Sequence, residues 1–129
     1  MRCLAVCHSE LVIRTLAQVL PPSFDVDFLV ESRPLAKRLH DAGLAAACGD
    51  LRKTETYVRA DVSPGTCVLI EDHARRSPAP TLEAVFDAGA ALVYLLEMPD
   101  GRDDGARAAR QERLRNKFPE LSFLSLPEL

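Results

Sequence analysis

Residues 66–71 read Thr66-Cys67-Val68-Leu69-Ile70-Glu71, an apolar run closed by an acid. β-Branched side chains suit a pleated strand. A continuous apolar run, without alternation, suits a strand covered on both faces, as in a parallel sheet. Downstream, Asp72–Pro80 is a polar loop containing proline, and Thr81–Ala88 has a helical pattern ended by Gly89. Ala91–Leu96 repeats the strand pattern, Pro99–Gly105 is a hydrophilic turn, and Arg107–Phe118 is a charged helix anchored by Leu114 and Phe118. Leu121–Leu126 reads as a last strand.

The same alternation runs upstream. Asp61–Gly65 is a turn, and Asp50 stands where it caps a helical segment through Ala60, with Leu51, Tyr57 and Val58 on one side. Leu44–Cys48 has weak strand propensity but lies between helices, which predicts a third strand. Pro34 opens a helix over Leu35–Ala42, and Gly43 suits the position just past its end. Val26–Val30 is a strand, and Pro21-Pro22-Ser23 stops a helix over Ser9–Leu20 whose N-cap is Ser9. Arg2–Cys7 is the first strand. Short strands alternating with helices of about ten residues call for right-handed βαβ units and a parallel sheet. The expected fold is a three-layer, doubly wound α/β domain of Rossmann type, with strand order 3-2-1-4-5-6.

The 129 residues suit one domain, and 47% hydrophobic with 27% charged residues is the composition of an ordinary globule. A net charge of −3 gives no basic excess to attract a phosphate backbone, so nucleic acid is not an expected partner. No apolar run approaches the ~18 residues of a membrane span, and Met1–Val6 lacks the pattern of a signal peptide. A cytoplasmic location is therefore expected. Cys3, Cys7, Cys48 and Cys67 form no Cys-x-x-Cys pair and show no metal-ligand spacing; each lies in or beside an apolar run and is expected to be a buried thiol. The stretch Leu124–Leu129 carries no closing helix, which predicts that the chain is the front of a longer protein.

In a doubly wound sheet, ligands bind beyond the carboxyl ends of the strands, where strand order reverses. The candidate residues are therefore His8, Ser9 and Glu10; Glu31, Ser32 and Arg33; Gly49 and Asp50; and Glu71, Asp72 and His73. No Ser-His-Asp set, acid pair or metal cluster stands out, so the domain is expected to be non-catalytic. Cys7 followed by Arg14 has six intervening residues and no glycine to fold a loop around an anion, which argues against a cysteine-phosphatase loop.

The stretch from Phe28 to Leu96 resembles the TrkA-N family, the N-terminal domain of regulators of potassium conductance. The matching pieces are FLVESR (Phe28–Arg33), LAKRLHDAGLAAACGD (Leu35–Asp50), LRKTETYVRADV (Leu51–Val62), TCVLIEDH (Thr66–His73) and LEAVFDAGAALVYLL (Leu82–Leu96). The resemblance implies a regulatory domain that binds NAD or an adenine nucleotide, without a metal. It also implies a homodimer controlling a potassium channel, a transporter or a fused enzyme such as a DHH phosphoesterase. By that resemblance Glu31 meets the adenosine ribose, Asp50 lies near the adenine, Arg33 stacks on it or neutralises a phosphate, and Glu71, Asp72 and His73 border the nicotinamide side. A carboxylate suits a 2′,3′-diol because it can accept two hydrogen bonds.

One part of the family pattern is missing. Cys7, Ser9 and Val12 stand where G-x-G-x-x-G has its glycines, so side chains crowd the pyrophosphate position. Glu10 adds a negative charge at the helix N-terminus, and two like charges ~4 Å apart repel by about 4 kcal/mol at an effective dielectric of 20. These departures count against dinucleotide binding. They leave two alternatives to the sensor: a decayed domain used only for dimerisation or docking, or a small enzyme working through Cys7.

Overall fold

The computed structural model describes residues 1–73, 76–97 and 104–125. The strands are β1 (Arg2–Val6), β2 (Asp25–Val30), β3 (Ala46–Cys48), β4 (Cys67–Glu71), β5 (Leu92–Glu97) and β6 (Leu121–Ser125). The helices are α1 (Glu10–Val19), α2 (Arg33–Asp41), α3 (Thr54–Arg59), α4 (Ala79–Asp87) and α5 (Asp104–Lys117). All five strand pairings are parallel, and the strands lie in the order β3-β2-β1-β4-β5-β6. This is the doubly wound Rossmann-like arrangement read from the sequence.

The two sheet faces carry separate cores. Cys3, Ala5 and Cys7 point toward α1 and α2, where they meet Val12, Leu16 and Leu39. Leu4 and Val6 point the other way, toward Tyr57, Leu82 and Leu114 on α3, α4 and α5. The alternation of strand side chains between faces builds both cores from one run. Tyr57 is fully buried, and its hydroxyl donates to the Leu51 carbonyl at 2.6 Å, so the phenol carries no unmet polar group.

Helix ends follow local chemistry with some departures from expectation. Ser32 caps α2, accepting the Leu35 N–H at 3.2 Å, and Gly43 follows that helix with φ +85°, a left-handed conformation costly for other residues. Asp50 does not cap α3. The Asp50 Oδ1 accepts the Arg52 N–H at 3.0 Å in a tight turn, and the cap position of α3 falls to Lys53. The helix begins later because that turn uses the residues read as its first coil. Helix α4 begins at Ala79, ahead of Thr81, because Pro80 is accommodated in a first turn, where its missing N–H has no intrahelical partner to lose. Val58 faces solvent instead of joining Leu51 and Tyr57, since α3 is one short helix with a single buried position. Cys48 is exposed, unlike the other three cysteines, because β3 is an edge strand. Of the hydrophilic turn read over Pro99–Gly105, residues 99–103 lie outside the described residues; Gly105 belongs to α5. Leu126, read as the end of the last strand, lies there too.

Candidate functional site

The reversal of strand order falls between β1 and β4. The chain leaving β1 turns to one face of the sheet into α1, and the chain leaving β4 turns to the other into α4. The gap between them is a cleft of about 80 Å³ bordered by His8, Glu31, Arg52, Glu71, His73 and Arg76 over an apolar floor that includes Val6 and Ile70. Four of these six residues were singled out by their place just after a strand. Arg52 was not, nor was Arg76, which falls in the polar loop read over Asp72–Pro80. Its position in the segment after β4 was the available signal.

Glu71 lies at the centre. Val6 pairs with Ile70 in the parallel register, so the next residues along both strands remain neighbours. The Glu71 Oε1 accepts the backbone N–H groups of His8, at 3.2 Å, and of Ser9, at 3.1 Å. The Glu71 Oε2 lies 3.0 Å from His8 Nε2, and only 3% of the Glu71 side chain is exposed. Backbone N–H groups converging ahead of a helix N-terminus are the standard cradle for a ligand phosphate in this fold. Here the cradle holds a carboxylate from the same chain.

Burial pushes the Glu71 carboxyl up to about 6, against the two backbone N–H donors that favour its ionised form. Burial also lowers His8 from its ordinary value, helped by His73 and Arg76 and opposed by Asp72 and Glu31. At neutral pH, therefore, Glu71 is ionised and His8 is neutral, with Nε2 lying against Oε2. The His8 and His73 rings lie 4.5 Å apart, centroid to centroid.

The remaining candidates divide between cleft and scaffold. Glu31 sits at the tip of β2, exposed, with its Oε2 3.6 Å from Arg76 Nη1. Ser32 is the α2 cap just described, and Arg33 is exposed at the start of that helix. Gly49 is needed for space: a Cβ there would come within 2.8 Å of Thr56 Cγ2. Asp72 is tied to α5, its carboxylate gripped by Arg110 at 2.5 and 2.8 Å. Glu10, read as the charge that opposes a phosphate, turns instead to Arg38 at 3.2 Å and Arg14 at 4.0 Å. Ser9 occupies the N-cap position of α1, but its side chain makes no capping bond, and its N–H is given to Glu71.

Cys7 is fully buried, and burial, with the charge of Glu71 beside it, raises its thiol well above the ordinary value. A nucleophilic cysteine needs the opposite shift, so the reading of an enzyme working through Cys7 is withdrawn. Among the described residues, no group of three or more His, Cys, Asp and Glu side chains is placed to hold a metal ion. Nor is any helix among them long and apolar enough to cross a membrane.

No protein-family model and no curated protein matches the chain. Solved structures do match in fold. The triphenylmethane reductase of Citrobacter sp., complexed with NADP(H), superposes with a TM-score of 0.62 at 16% identity, over 97% of this chain and 48% of the reductase. The NADPH-dependent quinone oxidoreductase of Escherichia coli, complexed with NADPH, gives 0.65 at 17% identity over the same shares. The protein ChuY of E. coli strain CFT073 gives 0.56 at 15% identity, over 97% of this chain and 69% of ChuY. The chain thus spans about half the length of the two reductases. These likenesses establish the Rossmann-like fold. They also correct the expectation of a non-catalytic domain: the fold neighbours include NADPH-dependent reductases, so the lack of a hydrolytic triad or metal cluster was no argument against an enzyme.

Proposed function

We propose that the chain is an adenine-nucleotide-binding domain, of the kind that forms the cofactor half of a reductase, and that it grips its ligand by the adenosine end. The observation that carries this reading is the cleft at the β1–β4 reversal, where Glu31 stands at the tip of β2 beside Arg76. A carboxylate at that position accepts hydrogen bonds from both hydroxyls of an unmodified ribose and repels a ribose 2′-phosphate. The preferred ligand therefore carries a free 2′,3′-diol, as in adenosine and NAD⁺, in contrast to the NADP(H) bound by the Citrobacter reductase. Nothing in the cleft bears on potassium regulation, and the reading does not include it.

The cleft must open to admit such a ligand. Ligand sites begin at ~300 Å³, against about 80 Å³ here. Arg76 is the side chain to move, since it is two-thirds exposed and held by an exposed ion pair, an interaction worth ~1 kcal/mol or less.

Thermal unfolding with adenosine, NAD⁺ and NADP⁺, for the wild type and Glu31→Ala, tests the reading. A ligand at 100 times its dissociation constant stabilises the fold by about 2.7 kcal/mol, which is readily seen in a domain of this size. We expect shifts with adenosine and NAD⁺ that exceed the shift with NADP⁺ and are lost in Glu31→Ala. No shift with any of the three, or shifts indifferent to Glu31, would overturn the reading.

A further inference from the structure

We propose that Glu71 sets the ligand selectivity of this cleft by acting as a built-in stand-in for a ligand phosphate, so that at neutral pH the site holds its ligand by the adenosine end and binds a pyrophosphate-bearing ligand more weakly than it would with those phosphate donors free. The inference rests on the nucleotide reading above and identifies the residue that decides which nucleotides qualify.

The argument is geometric. The N–H groups of His8 and Ser9, which precede α1, are the donors a pyrophosphate would need, and both already serve Glu71 Oε1. The second carboxylate oxygen holds the His8 ring. A pyrophosphate can use these donors only if the carboxylate leaves or loses its charge, because two anions cannot share them at contact distance. An uncharged adenosine makes no such demand, since its contacts lie at Glu31, on the neighbouring strand tip.

The rest of the loop fits the same arrangement. Cys7 and Val12, at the two glycine positions that serve the tight turn and the helix–strand packing, are buried between α1 and the sheet. Their side chains have been absorbed into the core while the backbone donors stay in place. The carboxyl of Glu71 is raised to about 6 by burial, so its charge is removed under mildly acidic conditions. Among the described residues, the titratable and charged groups around it are Cys7 and His8 from the β1–α1 side, Glu31 from β2, Arg52 ahead of α3, and Asp72, His73 and Arg76 after β4. Asp72 is neutralised by Arg110. His8 also gains charge as pH falls, so the test compares two proteins at each pH and lets the His8 contribution cancel.

The experiment is calorimetric titration of the full chain and of Glu71→Gln with adenosine and with NAD⁺, at pH 7.5 and pH 5.5. NAD⁺ is the probe because its pyrophosphate stays fully ionised across this range. Gln keeps a carbonyl to accept the His8 and Ser9 N–H groups, removes the charge, and turns its NH2 toward His8 Nε2, which accepts it when the ring proton sits on Nδ1. At pH 7.5 the variant should bind NAD⁺ at least tenfold more tightly than the wild type, a gain that exceeds any change in its adenosine affinity. At pH 5.5 the NAD⁺ ratio should fall below about threefold, because the wild-type carboxyl is then mostly protonated. On acidification the wild-type NAD⁺ affinity should rise by a larger factor than that of the variant, which carries the same His8, while its adenosine affinity does not rise. Adenosine binding with equal NAD⁺ affinities in both proteins would overturn the proposal and leave the nucleotide reading standing. An NAD⁺ ratio that is the same at both pH values would also overturn it, since a charge effect must titrate. Failure of both proteins to bind either probe would overturn the nucleotide reading and this proposal together.

Discussion

Glu71→Gln should stabilise the protein at neutral pH, which is an unusual outcome for a change at a buried, fully hydrogen-bonded side chain. The carboxyl rises from an ordinary 4.5 to about 6 on folding. At 1.36 kcal/mol for each pH unit, that rise is worth about 2 kcal/mol. A carboxyl that holds its proton more tightly when folded favours the folded state at low pH. Between about 4.5 and about 6 the native protein binds more protons at this site than the unfolded chain does, so stability falls as pH rises through that window. Above it, the wild type carries the whole penalty of a buried charge. The neutral amide avoids it while preserving the acceptor for the His8 and Ser9 N–H groups. Urea unfolding should show Glu71→Gln about 1–2 kcal/mol more stable than wild type at pH 7.5, closing to within about 0.5 kcal/mol at pH 4.5. His8 works in the opposite sense: its folded value is lowered, so its contribution is present above the unfolded value and is lost as pH falls through the lowered one. The difference between the two proteins removes most of that background. A variant less stable than wild type by more than about 1 kcal/mol at pH 7.5 would refute the reasoning, showing that the ionised carboxylate gains more from its donors than it loses to burial.

Two further substitutions test the assignment of sequence-selected residues to the scaffold. Asp72→Ala would leave Arg110, 16% exposed, without its bidentate partner; we expect a loss of about 2–4 kcal/mol in urea unfolding, with α5 showing the largest rise in amide hydrogen exchange. Gly49→Ala would drive a Cβ to within 2.8 Å of Thr56 Cγ2 and should destabilise by about 1–3 kcal/mol, whereas adding Thr56→Ser removes the obstructing methyl, keeps the hydroxyl's bond to the Asp50 carbonyl, and should recover most of the loss.

The sheet order was legible because each strand is a run of apolar residues set off by a helix stop: Pro21-Pro22, Gly43, Gly65 and Gly89 all punctuate the chain where the structure turns. Element boundaries were less so. The Asp50-Leu51-Arg52 turn and the start of α4 depend on hydrogen bonds that residue type alone does not decide. For the site, position after a strand selected Glu31, Glu71, His8 and His73, which border one cleft because parallel strands in register bring their next residues together. The same rule selected Gly49 and Asp72, whose contacts tie them to the scaffold. The first answers to a methyl on α3 and the second to a guanidinium on α5, contacts between segments that no local pattern records.

Sequence reading did anticipate an acid opposing a phosphate at the start of α1, but it chose Glu10, the residue adjacent along the chain. The structure gives that place to Glu71, more than sixty residues away. The difference follows from reach. Glu10, one residue into the helix, points along its outer surface, where Arg38 and Arg14 meet it. Glu71 ends the strand beside β1 and comes up under the turn, in line with the N–H groups that α1 leaves without helical partners. Those donors come from the backbone, so losing the three glycines did not remove them. The glycines clear space for a ligand, whereas the amides create a demand for an anion. With the side chains of Cys7 and Val12 drawn into the core and the demand intact, a carboxylate carried on the adjacent strand is the simplest anion the chain can supply, and it leaves Glu31, at the other end of the cleft, exposed.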